Sequence, residues 1–382
     1  MPSPSGLIII DKPQGVTSFD VVAAVRGALH LKKVGHAGTL DPMATGALIV
    51  GFGRATRLLS AIVGHDKTYE TTIRLGQRTT TDDADGTPLP AANDAHGTDG
   101  TGAGTVAERI AALTRETIER AIAEHLTGEI MQVPSAYSAI KVNGQRAYDL
   151  AREGHDVELA ARPVTIGEFT VLDVRRAVAE PAASSTAASA VASAVASAAD
   201  ETPADPSPVP VIDVDARVSC SSGTYIRSLG RDLGELLGVG GHLTRLRRTR
   251  VGRFDLTDPA IAAHVVTAHT DTRTFTNREG ETVTRARAVL DLPEGLSGAD
   301  RALALIDRAI PAAASARLSM PSIDVTAAEA EELRYGRRIE RAVEGPTAAI
   351  APGNGVDGDD LVAIVGRANA HQAKPSIVFP AE

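Results

Sequence analysis

One short stretch concentrates the residues that could do chemistry. Gly35-His36-Ala37-Gly38-Thr39-Leu40-Asp41-Pro42-Met43-Ala44-Thr45-Gly46 sets a single carboxylate among glycines and a proline, directly before an apolar run at residues 47–52. Pro42 biases Asp41 away from the α region, and the glycines permit close backbone approach. Such a loop can aim a carboxylate at a cleft, where it serves as nucleophile or base. The same residues also make an ordinary turn with Asp as turn former, and no second carboxylate stands at a spacing that would form a local acid–base pair. No other ligand type stands at metal-binding spacing from His36, so a metal site is not indicated. A second concentration is Arg245, Arg247, Arg248, Arg250 and Arg253, which reads as a phosphate-binding track or as a solvated basic face.

The elements that must position these residues are visible as periodicities. Residues 7–10 form an apolar run suited to a strand. Ser18 can cap a helix with Val21, Val22, Val25 and Leu29 on its apolar face. Residues 47–52 read as a buried strand. Residues 69–75 alternate, with Tyr69, Thr71, Ile73 and Leu75 on one face. Ile118, Ile122 and Leu126 mark a helix, and Asn143-Gly144 is a hairpin turn signal. Residues 211–220 alternate again. A helix over 224–237 follows, with Gly238 as its C-terminal stop. The sum is a mixed, largely antiparallel α+β protein.

The chain has 382 residues, 39 Lys+Arg and 48 Asp+Glu, for a formal net charge of −9. Taken whole, that balance argues against a protein that lives on nucleic acid. Divided along the chain it does not. Residues 1–75, 131–152 and 225–253 carry net charges of +3, +2 and +5, leaving −19 for everything else. The local field is what a polyanion meets. Cys220 is the only cysteine, which excludes an internal disulfide and fits a reducing compartment. No signal peptide or membrane-spanning run is evident. Low-complexity or polar segments near 90–105, 177–210 and 268–300 are expected to be flexible insertions.

The residues of several segments resemble one family. They are Gly6-Leu7-Ile8-Ile9-Ile10-Asp11-Lys12-Pro13-Gln14-Gly15-Val16-Thr17-Ser18, GHAGTLDPMATGALIVGFGRATR (35–57), Lys67-Thr68-Tyr69-Glu70 with Arg74-Leu75-Gly76, Thr81-Asp82-Asp83-Ala84-Asp85-Gly86, VPSAYSAIKVNGQRAYDLAREG (133–154), SCSSGTYIRSLGRDLGELLG (219–238) and GGHLTRLRRTRVGRF (240–254). In this wording and order the chain is similar to the bacterial tRNA pseudouridine-55 synthases, the TruB family. The matching segments cover most of residues 6–257 apart from the Ala/Ser and Gly/Thr insertions.

The resemblance implies an isomerase that flips uridine-55 out of the tRNA T-arm, detaches the uracil from its ribose and rejoins it through carbon. Asp41 matches the family nucleophile. Attack at the uracil ring and attack at the sugar both fit a carboxylate. Tyr69 matches the tyrosine that stacks on the flipped base, Tyr225 a pocket tyrosine, and Leu246 an apolar pocket residue. Arg227 matches an arginine expected to pair with the aspartate or a phosphate. His36 is expected to line the RNA site. Lys12, Arg247 and Arg248 are expected in supporting roles, with Lys141, Arg146 and Arg152 available to RNA. A pseudouridine synthase fold is implied over residues 1–320, insertions included. A small β-rich PUA-like domain, reduced in size, is implied over 321–382. The partner implied is tRNA, with no guide RNA, membrane, metal or organic cofactor. The protein is expected to be monomeric and cytoplasmic. An RNA-folding factor and a guide-RNA-dependent synthase are the competing readings. The intact Asp41, Tyr69, Tyr225 and Arg227 set favours an active enzyme over a pure binder, and the bacterial wording of the motifs, with no long basic tails, favours the stand-alone type.

Overall fold

The computed structural model describes residues 4–89, 104–138, 140–142, 144–153, 157–179, 209–276, 280–353 and 358–379. The chain divides into two compact units, one of residues 1–68 and 247–382 and the other of residues 69–246. Two strands, Lys67–Leu75 and Gly241–Val251, have residues in both.

In the first unit the apolar run at the N-terminus becomes strand Gly6–Lys12, with Leu7, Ile8, Ile9 and Ile10 wholly buried. It is apolar on both faces because it lies inside a sheet. Thr45–Phe52 pairs antiparallel on one side, and Val265–Thr276 pairs parallel on the other. Arg247 and Arg248 pair in parallel with Thr45 and Gly46. Helix Ser18–Leu29 buries Val21, Val22, Val25 and Leu29, the face expected from its periodicity. Its cap differs from expectation. Thr17 is the N-cap and forms a capping box with Asp20, while the Ser18 hydroxyl turns inward, accepting from the Leu40 N–H at 2.8 Å and donating to the Leu40 carbonyl at 3.1 Å.

The segment expected as a flexible insertion at 268–300 is corrected by the structure. Val265–Thr276 and Thr282–Leu290 form an antiparallel ribbon, and helix Gly298–Asp307 follows. Thr and Val recur along both strands and favour extended backbone. Polar residues on both faces hide the alternation that normally reveals a strand. The other two insertion expectations fall largely on residues 90–103 and 180–208, outside the described residues. At its C-terminal end the first unit carries a sheet in the order Ser322–Asp324, Thr347–Ala351, Asp360–Arg367, Ala373–Val378. One face of that sheet, through Ala348, Ile350, Leu361 and Ile364, joins the core built on Leu7, Ile9 and Ile49. The other closes over Leu333 of helix Ala327–Arg334.

In the second unit the strand order is Gly241–Val251, Lys67–Leu75, Val209–Cys220, Arg162–Ala179, Gly128–Gln132. Helix Ile226–Leu236 packs close to residues 240–241: a Cβ on Gly234 would lie 2.2 Å from Gly240 C and Gly241 N. Gly238 adopts φ +67° just past the helix, the stop expected of it. Gly144 has φ +88°, and the short strands Lys141–Val142 and Gln145–Arg146 pair as the hairpin signal implies. The molecule is α+β, with mixed sheets and a small β-rich C-terminal sheet, as the sequence suggests.

Candidate active site

Asp41 is half-buried on the loop between strands Val34–His36 and Thr45–Phe52. Its carbonyl accepts from the Ala44 N–H at 3.1 Å. Asp41-Pro42-Met43-Ala44 is thus a hydrogen-bonded turn with Pro at its second position. The turn reading of this segment holds.

Buried cations fix the turn from behind. Lys12 is fully buried, and its Nζ donates to the carbonyls of Ala44 at 2.6 Å, Pro13 at 3.0 Å and Pro42 at 3.3 Å. Arg248 is 1% exposed. Its Nε donates to Ala47 O at 2.8 Å, Nη2 to Gly38 O at 3.0 Å and Nη1 to Thr39 O at 3.4 Å. The Gly15 N–H adds a bond to Pro42 O at 2.8 Å, and Ser18 holds Leu40. Carbonyls on both sides of Asp41 are therefore tied to charged or hydroxyl donors, which are the strong partners available inside a protein. The backbone that carries the carboxylate is thus fixed on both sides of it. His36, beside this loop, has its pKa lowered by burial first and by the Arg248 charge second, against a raising contribution from the Gly38 backbone. It is therefore biased to the neutral ring near pH 7.

The arginine run is not an open phosphate track, and that expectation is corrected. Arg248 is buried, and Arg247 makes a two-pronged ion pair with Asp11 at 2.8 Å on each arm. Arg250 donates to Thr68 Oγ1 at 2.9 Å and to Gly252 O at 2.9 Å. Only Arg245 and Arg253 of the run are exposed. A strand inside a sheet sets its side chains on the two faces of that sheet, and where those faces are covered the guanidinium groups are consumed by local acceptors.

The second unit holds the remaining expected residues. Tyr69 is buried, 8% exposed, at the start of its portion of Lys67–Leu75, and Leu246 is buried on the neighbouring strand. Thr71 Oγ1 donates to Arg245 O at 2.7 Å and helps lock those two strands. Tyr225 is the N-cap of helix Ile226–Leu236 and makes no side-chain cap. Its backbone is gripped by the buried side chain of Gln132, which accepts from Tyr225 N at 2.9 Å and donates to Tyr225 O at 3.0 Å. Arg227 is 4% exposed. It donates to Thr81 O and Tyr137 O at 2.9 Å each and pairs with Asp83 at 3.5 Å. Burial raises the Asp83 pKa, while the Thr81 hydroxyl and then Arg227 pull it down.

The first unit thus brings together Lys12, His36, Asp41 and Arg248, with Arg247 paired to Asp11, the residue before Lys12. The second holds Tyr69, Tyr225, Arg227 and Leu246. Asp83, Gln132 and Ser18 are positioning residues that sequence reasoning missed. The Thr81-Asp82-Asp83 cluster was the available signal for Asp83. Nothing local marked Gln132. Among the described residues no group of three or more His, Cys, Asp or Glu side chains could hold a metal ion, and no helix is long and apolar enough to cross a membrane.

The N-terminal domain of TruB family pseudouridylate synthases matches residues 26–189. The C-terminal domain of tRNA pseudouridine synthase II matches residues 320–380, and that of tRNA pseudouridylate synthase B matches 227–290. The tRNA pseudouridine synthase B of Bifidobacterium longum (strain NCC 2705) is 57% identical, covering 99% of this chain and 98% of the relative. That of Arthrobacter sp. (strain FB24) is 42% identical, covering 98% and 96%. Among solved structures, a chain of an H/ACA RNP bound to a substrate RNA containing 2′-deoxyuridine aligns with TM-score 0.55 at 20% identity, covering 98% of this chain and 85% of that one. A chain of a Cbf5-Nop10-Gar1 complex aligns with TM-score 0.56 at 21% identity, covering 99% and 84%. The two structures speak to the fold alone, and the full-length relatives decide the family: the chain belongs to the TruB family of tRNA pseudouridine synthases.

Proposed function

We propose that Asp41 is the nucleophile with which this tRNA pseudouridine synthase isomerises uridine-55 in the T-arm of tRNA. The N-glycosidic bond of the flipped uridine breaks, the uracil turns, and C5 bonds to the ribose. The proton leaving C5 is balanced by one gained at the freed nitrogen, so the product is an isomer. The observation that carries the assignment is the seating of Asp41. It sits on a turn whose flanking carbonyls are held by two buried cations, Lys12 and Arg248. A pre-fixed backbone lowers the reorganisation needed to reach the reacting atom.

In this reading Tyr69 stacks on the flipped base, Leu246 and Tyr225 line the uracil pocket, and Arg227 fixes the segment around it through Thr81, Tyr137 and Asp83. His36 meets the RNA as a neutral ring. Residues 1–320 carry the chemistry, and residues 321–382, with their own small sheet, help grip the tRNA. The enzyme works as a monomer, without guide RNA, and in the cytoplasm, where its substrate resides. A single cysteine, Cys220, suits that compartment.

Asp41→Asn keeps the size of the side chain and removes the carboxylate. It should abolish pseudouridine formation in a T-arm stem-loop supplied without any guide RNA, while the tRNA Kd stays within about twofold of wild type. Full activity in the variant would remove Asp41 from the mechanism. Wild-type activity that needs an added RNA would overturn the stand-alone reading.

A further inference from the structure

The Val265–Thr276 and Thr282–Leu290 ribbon carries an apposition that costs stability. Arg273 stands directly opposite Arg285 in the ladder. Both are exposed, and among the described residues neither side chain has an ion pair or hydrogen bond. Like charges placed directly across a strand pair repel. The neighbouring cross-strand pair toward the base of the ribbon solves the same problem differently: Arg287 donates to Asp271, with Nε 2.9 Å and Nη2 2.5 Å from Oδ2. Toward the tip, on the same face, Phe275 is 40% exposed and lies opposite Val283. One face of the ribbon therefore presents two guanidinium groups, unpaired among the described residues, beside an exposed aromatic ring.

The base of this ribbon is tied to the Asp41 turn within one unit. Thr270 Oγ1 donates to Gln14 O at 2.5 Å, and the next residue, Gly15, donates its N–H to Pro42 O. Arg273 lies three residues beyond Thr270, about 10 Å along an extended strand and on the face opposite the Thr270 side chain.

We infer that Arg273 and Arg285 form a second tRNA contact, a phosphate clamp on the ribbon that grips the RNA backbone without reading bases. Guanidinium groups suit phosphate in both charge and geometry, and among the described residues no carboxylate is paired with these two. This inference rests on tRNA being the substrate.

The test is the double variant Arg273→Ala with Arg285→Ala, alongside Arg273→Lys with Arg285→Lys, each as the full chain on full-length tRNA. The alanine pair should raise the tRNA Kd about tenfold at physiological salt and reduce the slope of log Kd against log salt by about 2, one for each phosphate no longer neutralised. The kcat at saturating tRNA should stay within twofold. The lysine pair should keep most of the slope. Thermal unfolding of the alanine pair should not fall below wild type, because repulsion is relieved. Unchanged Kd and slope in the alanine pair, with wild-type pseudouridine formation intact, would overturn the clamp and leave the enzymatic reading standing. Absence of pseudouridine formation in wild type would instead defeat the enzymatic reading.

Discussion

Arg248 serves three carbonyls from three separate nitrogens of one planar fork, a spread that a single lysine nitrogen at position 248 does not span. Removing the fork leaves Gly38, Thr39 and Ala47 short of donors directly behind the Asp41 turn. Arg248→Lys should therefore act on the chemical step: kcat should fall by roughly ten- to a hundredfold while the tRNA Kd changes less than about threefold. Single-turnover kinetics with enzyme in excess separates the two quantities. A phosphate-binding arginine would behave the other way, with binding weakened and the salt slope reduced. The spacing of the arginine run suggests that second behaviour, and burial of Arg248 reverses the expectation. Charge at position 248 is plain in the sequence. Which acceptors it meets is not, because they come from residues about two hundred positions away.

Among the elements, Gly46 in strand Thr45–Phe52 and Gly27 in helix Ser18–Leu29 should respond oppositely to the same substitution. Gly46 has φ +100°, and a Cβ there would lie 2.2 Å from the Arg248 carbonyl oxygen. Gly46→Ala should push apart the strands that seat Arg248, costing several kcal/mol and most of the activity. Gly27 lies within the helix, and a Cβ there would meet nothing within 4 Å, so Gly27→Ala should add about 0.5–1 kcal/mol. Urea unfolding of both variants checks the pair of signs. Equal tolerance would mean that the close seat at Gly46 is not what fixes the turn. The helix face and the buried strands are legible in the sequence because apolar periodicity is a property of neighbouring residues. The ribbon over residues 265–290 shows the limit: both its faces are polar, so the strand period leaves no hydrophobic trace and the segment reads as an insertion. Asp83 shows the same limit within the site, since its partner Arg227 lies far along the chain.

For the molecule as a whole, the net charge of −9 is set largely outside the segments that carry the site, and residues 180–208 hold four acidic residues and no basic one. The structure fixes what stands on either side of them. Arg162–Ala179 and Val209–Cys220 are antiparallel neighbours, and their last paired residues are Ala179 and Val209. The ladder thus closes immediately at the ends of the intervening segment, so a two-residue turn can join it. Replacing residues 180–208 by Asn-Gly moves the net charge from −9 to −5 and shortens the loop whose closure folding must offset. The replacement should leave kcat within twofold, leave tRNA binding unchanged or tighter, and raise the unfolding free energy by up to about 2 kcal/mol. Pseudouridine mapping and thermal unfolding on the same preparation decide it. A folded replacement protein that has lost activity would give residues 180–208 a part in the reaction, because the ladder they join asks nothing of them beyond continuity.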